Sequence, residues 1–154
     1  MSDPDHDLTQ QDELPGWLGG VGFILTIAYP TLAISVGFRA VWRIVEALLD
    51  GSFPPTNALL SGLTATLYVV ATVGFARKAR WAWRISLVSL SVETALTFVI
   101  GTLSLLPAYA DAIGRTAWRA FGQDYGYLPL LLPIFGLIWL LHPLTRRIYA
   151  GSSQ

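Results

Sequence analysis

Glu93 is the residue whose position calls first for an explanation. It sits in RISLVSLSVETALTFVIGTLSLL, residues 84–106, a run apolar and long enough to cross a bilayer. At 1.5 Å of rise per helical residue it lies roughly 13 Å from Arg84, so with Arg84 at one membrane surface the carboxyl falls near the hydrocarbon centre. A charge at that depth costs about 2.5–3.5 kcal/mol on insertion scales. Other segments must therefore shield it. A carboxyl so placed can relay protons, hold a cation or act as a counter-ion; a protonated or hydroxyl-bonded glutamate that only ties helices together is the plainer reading. Thr64, Thr66 and Tyr68 in the preceding apolar run, and Tyr29 in the first, bring hydroxyls to about the same depth. No arginine matches that depth, which argues against a buried salt bridge.

Two further groups carry possible binding chemistry. Arg39 and Arg43, four residues apart and therefore on one helical face, flank Trp42 and are candidates for a lipid phosphate at headgroup level; snorkelling from a helix end is the alternative. The connection at residues 107–127 holds Arg115, Trp118, Arg119, Phe121 and Tyr125, residue types that make contact hot spots in partner docking. The competing reading is a lid whose aromatics pack into the headgroups.

Other chemistries lack their parts. There is no cysteine, which removes disulfides and thiolate metal sites. Of the two histidines, His6 lies in an acidic leader and His142 at a helix end, and the one methionine is Met1, so no haem or metal ligand set is expected. No nucleophile-and-base arrangement and no glycine-rich phosphate loop is present, and the expectation is a protein that is not an enzyme and carries no cofactor. No basic patch of the nucleic-acid-binding type appears.

These residues need elements to hold them. Of 154 residues, 53% are hydrophobic and 13% charged, about half the charged share of a soluble domain. The composition predicts an all-α fold: an integral membrane four-helix bundle with helices at about 16–49, 57–76, 84–106 and 128–144. Pro30 is expected to kink the first helix, and Gly19, Gly20 and Gly22 to give it a smooth face. Residues 39–49 continue it as an amphipathic extension. In the third helix Ser86, Ser89, Glu93, Thr97, Gly101 and Ser104 form a small-and-polar stripe at helical period, which in lipid should face protein. The fourth, carrying Pro129 and Pro133, is short. Between the third and fourth, residues 112–121 are expected to form a short interfacial helix. Residues 1–14 read as a disordered acidic tail and 148–154 as a frayed one.

Basic residues set the expected orientation. RKARWAWR, residues 77–84, with Arg146 and Arg147, places six basic residues on one side against Arg39, Arg43, Arg115 and Arg119 on the other. That bias gives both termini inside, in a cytoplasmic membrane, with the RKARWAWR turn attracting anionic lipid.

GTLSLLP at 101–107 and TAWRAFGQDYGYLPLLLP at 116–133 resemble a group of small four-helix integral membrane proteins of actinobacteria. The resemblance covers roughly the second half of the chain, through Arg80, Trp83, Glu93, Phe121, Gly122, Tyr125, Gly126, Pro129 and Pro133. It implies the architecture and no catalytic residue. Two functions follow as expectations. One is a non-catalytic accessory or assembly subunit of a larger membrane complex, with lipids and other membrane proteins or a second copy as partners. The other is a small oligomeric carrier or flippase in which Glu93 couples protons.

Overall fold

The computed structural model describes residues 16–52 and 55–151. The acidic tail at 1–14, with His6, and the last three positions lie outside them. The described residues form seven helical segments and no strand: α1 (Gly16–Leu49), α2 (Thr56–Ala76), α3 (Arg80–Leu103), α4 (Pro107–Ile113), a 3-10 segment (Arg119–Tyr125), α5 (Leu128–Leu141) and α6 (Pro143–Gly151). Three helices, α1, α2 and α3, are long and apolar enough to cross a membrane; a fourth crossing is added if the 3-10 segment and α5, which meet at 100°, count as one broken span. The protein is thus a membrane-embedded helical protein with three to four candidate spans.

Packing follows the small residues. Close approach of α2 and α3 depends on Gly74, where a Cβ would collide with Ser86 Oγ and come within 3.0 Å of Ala82 O. On α5, Gly136 leaves room for Leu90, and on α1, Gly22 takes the Trp139 ring at a notional Cβ distance of 2.8 Å. Gly19 and Gly20, expected to join Gly22 on a packing face, instead have nothing within 4 Å. Tyr29, Tyr68, Leu90, Phe75 and Leu140 fill the centre. Large apolar side chains such as Phe23, Ile34, Phe38, Val88 and Phe135 point outward, where hydrocarbon would cover them.

The third helix begins earlier than its hydropathy indicates, at Arg80 rather than 84, and ends at Leu103, with residues 104–106 in a turn. The expected interfacial helix at 112–121 is displaced: helix forms upstream, as α4, because Pro107 stands at its first turn, where a missing N–H costs nothing. Residues 114–118 are not helical, and the chain then turns through positive φ at Ala120, Phe121 and Gly122. The fourth helix stops at Leu141, not 144. His142 is extended, as the residue before a proline prefers, and the chain restarts as α6 at Pro143. Residues 148–151, expected to fray, are the last turn of α6, and Tyr149 there is buried.

Candidate functional site

Every member of the α3 stripe is buried: Ser86, Ser89, Glu93, Thr97, Gly101 and Ser104. The hydroxyls of Ser89, Thr97 and Ser104 bond to neighbouring segments, whereas Ser86 Oγ is buried against Gly74 without a hydrogen bond. Ser89 Oγ donates to Leu67 O on α2 at 2.9 Å. Ser104 Oγ accepts the Ala120 N–H at 2.8 Å and so fixes the start of the left-handed turn. Thr97 Oγ1 lies 2.8 Å from Glu93 O and 3.2 Å from Pro129 O, its one hydrogen serving both. The second contact has a covalent origin. Pro133 has no N–H to give the carbonyl four residues earlier, so Pro129 O is left for Thr97.

Glu93 itself is fully buried, and the Tyr29 hydroxyl donates to its Oε2 at 3.2 Å. Tyr29 precedes Pro30, which α1 carries inside a helix that continues through it, and its ring meets Tyr68 edge-on with centroids 5.5 Å apart. The Tyr68 hydroxyl interacts electrostatically with the carboxyl without reaching hydrogen-bond geometry, and both it and Glu93 Oε1 are buried without a bonded partner. The site is therefore a carboxyl held by one phenol and facing a second, enclosed by α1, α2 and α3.

The other two expected members fare differently. Thr64 is buried one turn before Tyr68 on α2, with its hydroxyl donated to Leu60 O at 2.8 Å. Thr66 is exposed and donates to Gly62 O at 2.9 Å, so it is not part of the site. The two threonines are about 200° apart around the helix and cannot share a face.

Among the loop residues the structure divides the expected docking set. Trp118 is fully buried and Phe121 sits over Gly101, at a notional Cβ distance of 2.7 Å, with its ring 6.1 Å from that of Phe98. Trp118 is therefore enclosed by its own chain, while Phe121 is half-buried. Arg115 and Arg119 are exposed and share Asp124 at 3.9 and 3.8 Å, and Tyr125 is half-buried. Arg39 on α1 lies over the Tyr125 ring, 5.8 Å from its centroid. Arg43 lines a groove of about 540 Å³ with Glu46, Asp50 and Asn57. The expected lipid-binding pair is thus divided between an aromatic ring and a mixed-charge groove.

At the opposite end, the basic face that carries residues 77–84 and 146–147, side chains finish what the helix ends leave open. The end of α2 frees Gly74 O, which accepts from the Tyr149 hydroxyl at 3.3 Å. The break at His142 frees Leu140 O, which accepts from the Trp83 indole N–H at 2.9 Å. The Trp139 indole also donates to Leu18 O at 2.8 Å, a carbonyl within the first turn of α1. Burial pushes the Tyr149 hydroxyl up to about 12, so it stays a donor across the physiological range. Tyr149 and α6 were invisible in the sequence, where residues 128–144 read as the fourth helix and 148–154 as a frayed tail.

No group of three or more metal-ligating side chains occurs among the described residues. Comparison of the chain with family models, curated proteins and solved structures finds no match.

Proposed function

We propose that this membrane protein acts without catalysis, as an accessory or assembly subunit of a larger cytoplasmic-membrane complex, with four crossings and both termini inside. The observation that carries the reading is the length of α1. Its 34 residues span about 51 Å, whereas the hydrocarbon is about 30 Å thick. The remaining turns bring Arg39, Arg43, Glu46 and Asp50 out of the lipid as a stiff charged handle. The groove between this handle and the start of α2, with charges of both signs, suits a polar segment of a partner protein. Consistent with a packing role, Ser89, Glu93 and Thr97 of the α3 stripe make helix-to-helix bonds.

Gentle extraction of the full chain from its own host, followed by native gels, tests this. Co-migration with a partner, lost on Glu46→Lys with Asp50→Lys, is expected. A clean monomer in both forms overturns the proposal.

One observation favours a carrier as the second reading. Glu93 Oε1 and the Tyr68 hydroxyl are buried polar atoms that face each other without a hydrogen bond of good geometry, an arrangement in which a transported proton could be held. Proton flux into dye-loaded liposomes, abolished by Glu93→Gln in a folded protein, supports this reading. Unchanged flux removes Glu93 from it.

A further inference from the structure

We infer that a pocket on the basic face holds a phosphoryl group, presented by an anionic phospholipid. The pocket has a volume of about 250 Å³ and is lined by Arg80, Trp83, Arg84, Arg146 and Tyr149 with Ala150. Its arginines converge from two separate elements. Arg80 and Arg84 are four residues apart on α3, hence on one face, while Arg146 comes from α6.

The pocket is built rather than incidental. The Trp83 indole is fixed by its bond to Leu140 O, and the Arg146 guanidinium rests over that ring, 5.5 Å from its centroid. Tyr149 is fixed from below by its bond to Gly74 O. Trp83 thus ties the start of α3 to α5, Tyr149 ties α6 to α2, and Arg146 over the Trp83 ring brings α6 to the start of α3, so that the arginines line a common space.

The charges of the described residues on this face point to an anion. It carries Arg77, Lys78, Arg80, Arg84, Arg146 and Arg147, and no carboxylate of the described residues stands there. Glu46, Asp50, Asp111 and Asp124 belong to the opposite end, and Glu93 to the interior. The only ion pairs among the described residues are those of Asp124. In addition, α3 starts without a side-chain cap or an acidic residue in its first turn, so its free amides add to the positive potential. Guanidinium groups match phosphate oxygens in fork geometry, and a basic pocket between helices at the membrane surface is where a lipid headgroup sits.

Native mass spectrometry of the full chain, released from detergent containing phosphatidylglycerol and phosphatidylcholine, tests the inference. Retention of phosphatidylglycerol over phosphatidylcholine is expected. With Arg84→Gln and Arg146→Gln it falls about tenfold further than with Lys78→Gln and Arg147→Gln, which remove the same charge from the same face outside the pocket. Arg84→Lys with Arg146→Lys checks folding and restores part of the retention. Inorganic phosphate separates the sources: lipid that it fails to displace assigns the site to the headgroup, and displacement with the same arginine dependence assigns it to free phosphate. Equal losses in the pocket pair and the control pair, or no loss in either, overturn the inference.

Discussion

The Tyr29 hydroxyl donates to Glu93 Oε2 at 3.2 Å, joining α1 to α3 across 64 positions of sequence. Because Glu93 Oε1 has no bonded partner, this is the carboxyl's one side-chain hydrogen bond among the described residues. Its removal strands a buried acceptor in a medium with no water to replace the donor. Tyr29→Phe is therefore expected to cost about 1–2 kcal/mol, and a double-mutant cycle with Glu93→Gln to give a coupling of about 0.5–1.5 kcal/mol. Thermal unfolding in detergent measures both. Strict additivity of the two substitutions would show that the contact holds nothing together.

Thr97 offers a second test, because its hydroxyl serves a carbonyl that Pro133 cannot. Thr97→Val keeps the shape and leaves Pro129 O unpaired, so a loss of about 1 kcal/mol is expected. Thr66→Val is the matched control, since that hydroxyl is exposed and bonded to its own helix; a change within about 0.5 kcal/mol is expected there. Similar effects at both positions would mean that the α3–α5 bond carries no particular weight.

The stripe on α3 was legible because a period of three and four residues specifies a face without any knowledge of what it meets. Tyr29 and Tyr68 were legible from depth alone. Depth says nothing of azimuth, however, and so it grouped Thr66 with Thr64 although they point to opposite sides of α2. The connection at 107–127 was the least readable segment. Aromatic residues there suit a docking surface or a packed lid equally well, and what placed Phe121 was the notch at Gly101 and what placed Trp118 was its full burial, both tertiary features. The arginine pocket was likewise hidden: RKARWAWR was visible as a charged turn, but Arg146 joins it only because the chain bends at His142.

Gly74 and Gly20 are both helical, yet they should respond in opposite ways to alanine. At Gly74 a Cβ meets Ser86 and the Ala82 carbonyl, so Gly74→Ala must move α2 from α3 and is expected to cost about 1–3 kcal/mol. At Gly20 a Cβ meets nothing within 4 Å, and Gly20→Ala should be neutral or stabilising by up to about 1 kcal/mol through helix propensity. Melting temperatures in the same detergent distinguish them. A neutral Gly74→Ala would mean that the helices are not held at this separation.

The number of crossings decides whether the two ends of the bundle face different compartments, and the chain's lack of cysteine makes the measurement clean. Ser52 follows α1 and is exposed, and Gly151 ends α6 and is exposed. If α5 completes a fourth crossing, Ser52→Cys should react with an impermeant maleimide added outside intact cells, and Gly151→Cys only after the membrane is opened. The helix of α5 has 14 residues, about 21 Å, which is short of a hydrocarbon layer of about 30 Å. A crossing there requires the 3-10 segment to supply the remainder or the bilayer to thin around it. Labelling of both cysteines from outside would show that α5 dips into the membrane and returns. Thr97 would then be holding a re-entrant segment, and the arginine pocket, which needs α6 beside the start of α3, could not form at the same surface.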